Sequence, residues 1–428
     1  MSLNVTKGAR PAAQSIHWFA ASSAVIASLL LLAGPSSAAP LLSWLDPVEA
    51  TETWSPYALS ADGSTVVGRL VDASGRGRAA RWTAAAGLVT LPGFDSDDES
   101  AAYGVSGDGS VIVGGRAGEA FVYAGSGGTT ILPALEPGGA GARVVGVSDD
   151  GTQFVGLAHD GTSQTDPATG GPTNDPRFVV VQWISAAGNR PFELMPFHAV
   201  DAAVANDGTL VASLVDGMPS GDRQGVRYST SDNFFSFLPG FENDEAAELA
   251  QTAMALSADG STIVGSALRA DPSSGERTRT GFRWRGDVTR HILPREGLEA
   301  LHPIGDPVWR GHHVDPLDVS PDGETIVGRV ERVADGERRA FLWTERSGLV
   351  DLNVLLAAAG VDLEGWTLVE ALQVAGDGRR LLATAHRDGV SRSVLLLVPE
   401  PATALLLGLG LFGLRFVDDR RVSLQNWK

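Results

Sequence analysis

The sequence predicts an all-β fold: a seven-bladed β-propeller of four-stranded blades, its last blade closed by the N-terminal strand. Three observations predict it. One unit recurs seven times between residues 40 and 398. Each copy carries an Asp-Gly turn at the same place. A spare strand at the start of the unit array matches a strand missing at its end.

The Asp-Gly dipeptides begin at Asp62, Asp108, Asp150, Asp207, Asp259, Asp322 and Asp377, spaced by 46, 42, 57, 52, 63 and 55 residues. Their flanks match: Ala58-Leu59-Ser60-Ala61-Asp62-Gly63-Ser64-Thr65-Val66-Val67-Gly68 repeats as Ala255-Leu256-Ser257-Ala258-Asp259-Gly260-Ser261-Thr262-Ile263-Val264-Gly265. Asp-Gly between two β-prone runs signals a hairpin, because Gly accepts the positive φ of a tight turn. The seven aspartates are read as turn formers through side-chain to backbone hydrogen bonds. A third strand follows and ends in an aromatic, as in Arg81-Trp82, Val122-Tyr123, Gln182-Trp183, Arg227-Tyr228, Arg283-Trp284 and Leu342-Trp343. These aromatics are expected between blades, since side chains alternate along a strand. A fourth strand ends in Leu-Pro at Leu91, Leu132, Leu238 and Leu293; copy three has Leu194-Met195-Pro196 and copy six Leu352-Asn353. Copy seven has three strands, at Val369–Val374, Arg380–Ala385 and Ser393–Val398. The segment Leu41 to Asp46 supplies the fourth and removes an exposed edge.

Composition narrows the function. The 428 residues contain no Cys, which excludes disulfides, thiolate metal sites and a Cys nucleophile. The formal net charge is −18, which argues against nucleic acid and against electrostatic docking on anionic lipid. With 43% apolar and 20% charged residues the chain has enough material for a core.

The two ends are addresses. Residues 1–39 read as a signal peptide: Lys7 and Arg10, an apolar stretch from Trp18 to Ala33, and a small-x-small site ending at the cleavage residue Ala39. Residues 399–428 form a tail in which Pro399-Glu400-Pro401 precedes an apolar run to Leu414, then Arg415, Arg420 and Arg421. An apolar helix followed by arginines is a stop-transfer device, the arginines staying on the cytoplasmic side. The run Ala402–Leu414 has 13 residues, short of the roughly 20 of a full helical span. This tail resembles the PEP-CTERM sorting signal of Gram-negative bacteria. The resemblance implies transient inner-membrane anchoring by a C-terminal hydrophobic helix, recognition by an exosortase, and cleavage near the tripeptide.

The units of residues 40–398 resemble HAF repeats, an extracellular bacterial family. The namesake tripeptide survives as Ala120-Phe121 and Ala340-Phe341, with Glu119 and Arg339 at the His position. Val350-Asp351-Leu352-Asn353 followed by Gly365-Trp366 also looks like a late segment of that family. The resemblance implies architecture and carries no activity.

No catalytic constellation emerges. There is no Gly-rich phosphate cradle and no Gly-x-Ser-x-Gly elbow. Asp95, Asp97, Asp98 and Glu99, and Glu242, Asp244, Glu245 and Glu248, form acidic clusters, and Ca²⁺ favours several oxygens in a bent loop. Neither cluster has the glycine-punctuated spacing of a Ca²⁺ loop, so both read as solvated loops. His291, His302, His312 and His313, with Asp315, fall in one insertion before unit six. They are weak metal candidates, because no spacing fixes two ligands on one face. Asp160 to Arg177 reads as a mobile loop. The expectation is therefore an exported, non-enzymatic binding or structural propeller at the cell surface or in the matrix, bound to extracellular polysaccharide or a surface protein. The alternatives are a polysaccharide-active enzyme or lectin, for which three or more charged groups should converge in the central pocket, and a scaffold for protein partners.

Overall fold

The computed structural model describes residues 42–47, 51–94, 98–135, 141–165, 172–184, 191–195, 197–215, 223–229, 233–239, 252–270, 275, 277–286, 298–302 and 308–398. Seven four-stranded antiparallel sheets follow one another along the chain. Blade 1 is β2 (Thr53–Leu59), β3 (Thr65–Val71), β4 (Gly77–Thr83) and β5 (Gly87–Thr90). Blade 2 is β6 (Ser100–Val105), β7 (Val111–Arg116), β8 (Glu119–Ala124) and β9 (Thr129–Ile131). Blade 3 is β10 (Ala142–Val147), β11 (Gln153–Thr165), β12 (Pro172–Ile184) and β13 (Pro191–Met195). Blade 4 is β14 (Ala199–Val204), β15 (Leu210–Leu214), β16 (Gln224–Ser229) and β17 (Phe234–Phe237). Blade 5 is β18 (Thr252–Leu256), β19 (Thr262–Ala270), β20 (Arg277–Arg285) and β21 (Leu298–Ala300). Blade 6 is β22 (His312–Val319), β23 (Thr325–Arg332), β24 (Arg338–Thr344) and β25 (Gly348–Asp351). Blade 7 is β26 (Thr367–Val374), β27 (Arg380–Arg387), β28 (Val390–Leu397) and, on its outer edge, β1 (Leu42–Trp44).

The N-terminal strand therefore closes the ring. Leu42 lies opposite Leu396 and Trp44 opposite Val394. Beyond the strand, Leu45 is 1% exposed and packs with Trp54, Val66 and Leu382 of blades 1 and 7.

Five of the seven Asp-Gly turns are built on a buried serine. Ser60, Ser106, Ser148, Ser257 and Ser320 donate to the turn aspartate at 2.6–2.7 Å. The same hydroxyls accept the backbone N–H five residues on, at 2.9–3.0 Å. Ala205 and Ala375 replace this serine in blades 4 and 7. The turn glycines have positive φ, from +64° to +83°, and several also allow close approach: a Cβ on Gly109 would lie 2.4 Å from Thr65 Oγ1 of the preceding blade.

A second glycine is explained by a bulge. The register slips after Pro56, Ala102, Val144, Ala253 and Pro316 on the innermost strands. Opposite these residues stand Gly68, Gly114, Gly156, Gly265 and Gly328, where a Cβ would lie 1.7–2.2 Å from a backbone carbonyl. The bulge turns Tyr57, Tyr103, Val145, Met254 and Leu317 toward the ring axis.

Several expectations shift. The fourth strand of blade 5 is not at Leu293 but at β21. Leu301 is the buried leucine of that blade, its N–H bonded to Gly281 O as Leu91 N–H is bonded to Ala79 O. In blade 6 the corresponding Leu352 begins helix α1 (Leu352–Ala358), capped by the Asp351 carboxylate accepting from Asn353 N–H. The segment read as a loop at Asp160 to Arg177 instead extends the β11–β12 hairpin on both sides of 166–171, pinned by the Arg177–Asp160 ion pair. The signal and tail helices lie outside the described residues; no described helix is long and apolar enough to cross a membrane.

Removing β1 exposes both sides of the closing seam and takes Trp44 and Leu45 out of the core. At roughly 1.5–3 kcal/mol per large buried side chain, a chain starting at Asp46 is expected to melt about 5 °C or more below one starting at Pro40. Equal melting temperatures would show that the ring does not need this strand.

Candidate functional site: the central channel

The innermost strands leave a central cavity of about 390 Å³. Aliphatics form most of its wall, with the bulged Tyr57 and Tyr103 side by side, ring centroids 5.4 Å apart. Among the described residues three aspartates, Asp149, Asp201 and Asp318, line it, and no Lys, Arg or His does. The criterion of several charged groups at the axis is thus met by carboxylates alone.

Their environments differ. Asp201 is held above the usual carboxylate range by burial, against the pull of Ala202 N–H and the charges of Arg143 and Arg223. Burial raises Asp149 too, with repulsion from Asp150. Asp318 is pushed up to about 7, first by burial and then by repulsion from Asp149, although Val374 N–H and Val319 N–H favour its charged form. Part of its surface is open to the channel. Protein packed around the carboxyl dominates its titration.

Asp318 has a structural task that the repeat itself explains. Around the channel mouth the residues just before each Asp-Gly are linked blade to blade. Asp62 N–H bonds Gly107 O (2.8 Å), Gly107 N–H bonds Asp149 O (2.8 Å), and Asp150 N–H bonds Asn206 Oδ1 (3.1 Å). Asn206 N–H bonds Ala258 O (2.9 Å), Ala258 N–H bonds Pro321 O (3.0 Å), and Gly376 N–H bonds Ala61 O (2.6 Å). Between blades 6 and 7 the donor position is Pro321, which has no N–H. At that joint the Asp318 carboxylate accepts Val374 N–H at 2.8 Å, bridging the same two blades. The other copies have Ala58, Gly104, Gly146, Ala203, Ala255 and Gln373 at the Asp318 position. Aligning the copies reveals this exception in the sequence; what it bonds is visible only in three dimensions.

The residues singled out from sequence do not converge here. His312, His313 and Asp315 lie on β22 rather than in an insertion loop. His313 Nδ1 accepts Arg279 N–H (3.0 Å), and His312 Nδ1 sits 3.0 Å from Arg310 O. Asp315 takes two bonds from Arg279, at 2.7 and 2.8 Å, and one from Arg329 at 3.4 Å. Burial would raise its pKa, but these arginines outweigh burial and lower it. His302 follows Leu301 at the end of blade 5. Among the described residues no group of three or more His, Asp or Glu is placed to hold a metal, so the weak metal candidates are not gathered. Asp98 pairs with Arg116 and Glu99 with Arg69. Asp95, Asp97, His291, Glu242, Asp244, Glu245 and Glu248 lie outside the described residues, as do Ala39, Pro399, Glu400, Pro401, Arg420 and Arg421. The turn aspartates bond their own loops; Asp108 is lowered to about 2 by Ser110 N–H and Ser106 Oγ. Trp284 is fully buried between blades, while Arg283 stacks on Trp343 at 4.5 Å and pairs with Glu299.

Residues 397–421 match the family described as the PEP-CTERM protein-sorting motif. The chain carries this motif, which implies export, membrane-anchored sorting and exosortase processing. No curated protein matches the chain. Among solved structures it is similar to an oligogalacturonate lyase in complex with manganese: 12% identity, TM-score 0.55, covering 84% of this chain and 93% of that one. An oligogalacturonate lyase of Vibrio parahaemolyticus is similar at 12% identity and TM-score 0.53, covering 84% and 94%. At this identity the likeness is one of fold.

Because the folded-state pKa of Asp318 lies above its unfolded value, the fold binds more protons than the unfolded chain between about pH 4 and 7. Stability from this group is full below that window and is lost as pH rises through it. Asp318→Asn keeps an acceptor for Val374 N–H and abolishes the charge. It is expected to melt above wild type at pH 8, by the order of 1–4 kcal/mol, and level with it near pH 4. Thermal melts across this range check the point; a constant difference would place the effect elsewhere.

Proposed function

We propose that the protein is a non-enzymatic binding or structural propeller of the cell surface or extracellular matrix, exported by the signal peptide of residues 1–39 and released or attached by an exosortase. The observation that supports this is the sorting motif joined directly to a closed seven-bladed ring. Its HAF-like repeats are consumed by turns, bulges and inter-blade bonds. Two channel carboxylates are already engaged: Asp318 bridges blades, and Asp201 accepts Ala202 N–H at 2.9 Å. Among the described residues that line the channel, neither is joined by a Lys, Arg or His, although the charges of Arg143 and Arg223 act on Asp201. Extracellular polysaccharide and surface proteins are the partners proposed; exposed Phe234 and Phe237 on the outer strand β17 offer an aromatic edge to either.

Three aspartates sharing one cavity favour a second reading, a polysaccharide-active enzyme or lectin on the same ring. A glycan array and a polysaccharide turnover assay on residues 40–398 separate the two. Glycan or protein binding without bond cleavage is expected. Turnover lost in Asp149→Asn or Asp201→Asn would establish the enzyme. Intact-mass analysis of exported material is expected to show a chain lacking both residues 1–39 and the apolar tail; a product retaining Leu405–Lys428 would count against exosortase processing.

A further inference from the structure

Both ends of the ring leave from one corner of blade 7. β1 begins at Leu42, the third residue after Ala39. Its partner β28 ends at Leu397, and the following Val398 is still gripped. Val398 is 2% exposed, its N–H donates to Arg379 O at 2.8 Å, and its carbonyl accepts from Arg379 Nε at 3.1 Å. The next residue is Pro399 of the sorting tripeptide. The fold thus holds the chain up to the residue before the motif's tripeptide.

An enzyme that cuts or transfers a peptide binds its substrate as an extended strand, using backbone hydrogen bonds over several residues. Upstream of the tripeptide those residues belong to β28. In the closed ring β28 is bonded on both edges, to β27 through Arg380↔Leu397, Leu381↔Leu396 and Leu382↔Leu395, and to β1. From Ser393 to Leu396 its backbone is paired on both edges. Slack does not solve the problem, since three extended residues reach only about 10 Å.

The β1–β28 seam is short and held by one local device. The Arg392 guanidinium lies 4.3 Å from the Trp44 ring centre and 5.2 Å from that of Trp366, and pairs with Asp46. Trp44 and Trp366 touch, with centroids 5.2 Å apart, and Arg387 covers Trp366 at 4.6 Å. Asp46 and Trp44 belong to the N-terminal segment, so the contacts they make with Arg392 and Trp366 form only when that segment is in place. A three-residue edge strand opens far more readily than a whole blade.

We infer that this seam is a latch on exosortase processing: the tail is cut from chains whose β1–β28 pairing is open, and zipping of β1 withdraws β28, the strand that leads into the motif. Ring closure and tail removal then compete at one corner, and the rate of removal follows the population of open seam. The inference rests on the reading that the tail is processed.

The test follows tail removal by immunoblot and intact mass for the full-length precursor in cells carrying an exosortase. Arg392→Ala loosens the latch and should speed removal several-fold. Ser43→Cys with Leu395→Cys places two thiols at directly opposed positions of the seam, in a chain with no other Cys. The oxidised staple should slow removal about tenfold or more, and dithiothreitol should restore the wild-type rate. A flexible insert of about eight residues between Val398 and Pro399, reaching roughly 25 Å, should abolish both effects. The staple guards against the possibility that Arg392→Ala acts by general unfolding. Wild-type speed in the oxidised stapled chain, or a staple delay that persists with the insert, would overturn the latch. Failure of tail removal in every variant, insert included, would overturn the sorting reading beneath it.

Discussion

A ring of sheets is stable only if the last sheet meets the first, and here that meeting depends on a three-residue strand. β1 completes blade 7, and Leu45 beyond it fills the space between blades 7 and 1. Elsewhere neighbouring blades are consecutive in the chain; here the closure brings together residues about 350 positions apart, as the Arg392–Asp46 pair inside blade 7 shows. Long loops close slowly, so this joint is the natural last step of folding. Closure is repeated at two further levels. Gly376 N–H reaches Ala61 O at the channel mouth, and Arg380 Nη1 reaches Asp62 O at 2.7 Å.

The same need to join blades explains the channel. The blade-to-blade bonds around the mouth use backbone N–H groups, and one proline breaks the series. A carboxylate fills that gap, and it titrates high because the joint is buried. What a survey of charged residues would single out as reactive is therefore bonded into the framework. Perturbed ionisation marks functional sites and structural joints alike, and the Val374 N–H bond gives Asp318 a part in the joint between blades 6 and 7.

The joint also gives the sorting tail a mechanical context. The segment recognised for export and the segment that closes the fold are contiguous at Val398. A stop-transfer tail and a propeller edge make opposite demands on the same backbone, one for accessible extended chain and the other for complete pairing. The Trp44–Arg392–Trp366 stack is where those demands meet.

Much of this was legible in the sequence. The seven Asp-Gly turns, the third-strand aromatics and the missing fourth strand are local patterns, each imposed by backbone geometry or strand alternation, and they give the blade count and the closure. The sorting tail is legible for the same reason, since Pro399-Glu400-Pro401, the apolar run and the arginines are contiguous. Leu352 was legible as the copy-six counterpart, whereas Leu301 was hidden because its strand departs from the Leu-Pro pattern, and only pairing with β20 reveals it. His312, His313 and Asp315 were only weak metal candidates in one dimension; on their strand His313 and Asp315 share a face and both engage Arg279, and Asp315 also takes Arg329. Asp149, Asp201 and Asp318 belong to three different blades and become neighbours only when the ring closes. Local sequence determined the blades and the address, because turns, alternation and apolar runs act over a few residues. Tertiary structure alone decided which carboxylates share the channel and which arginine locks the seam, because those contacts join residues that the chain keeps far apart.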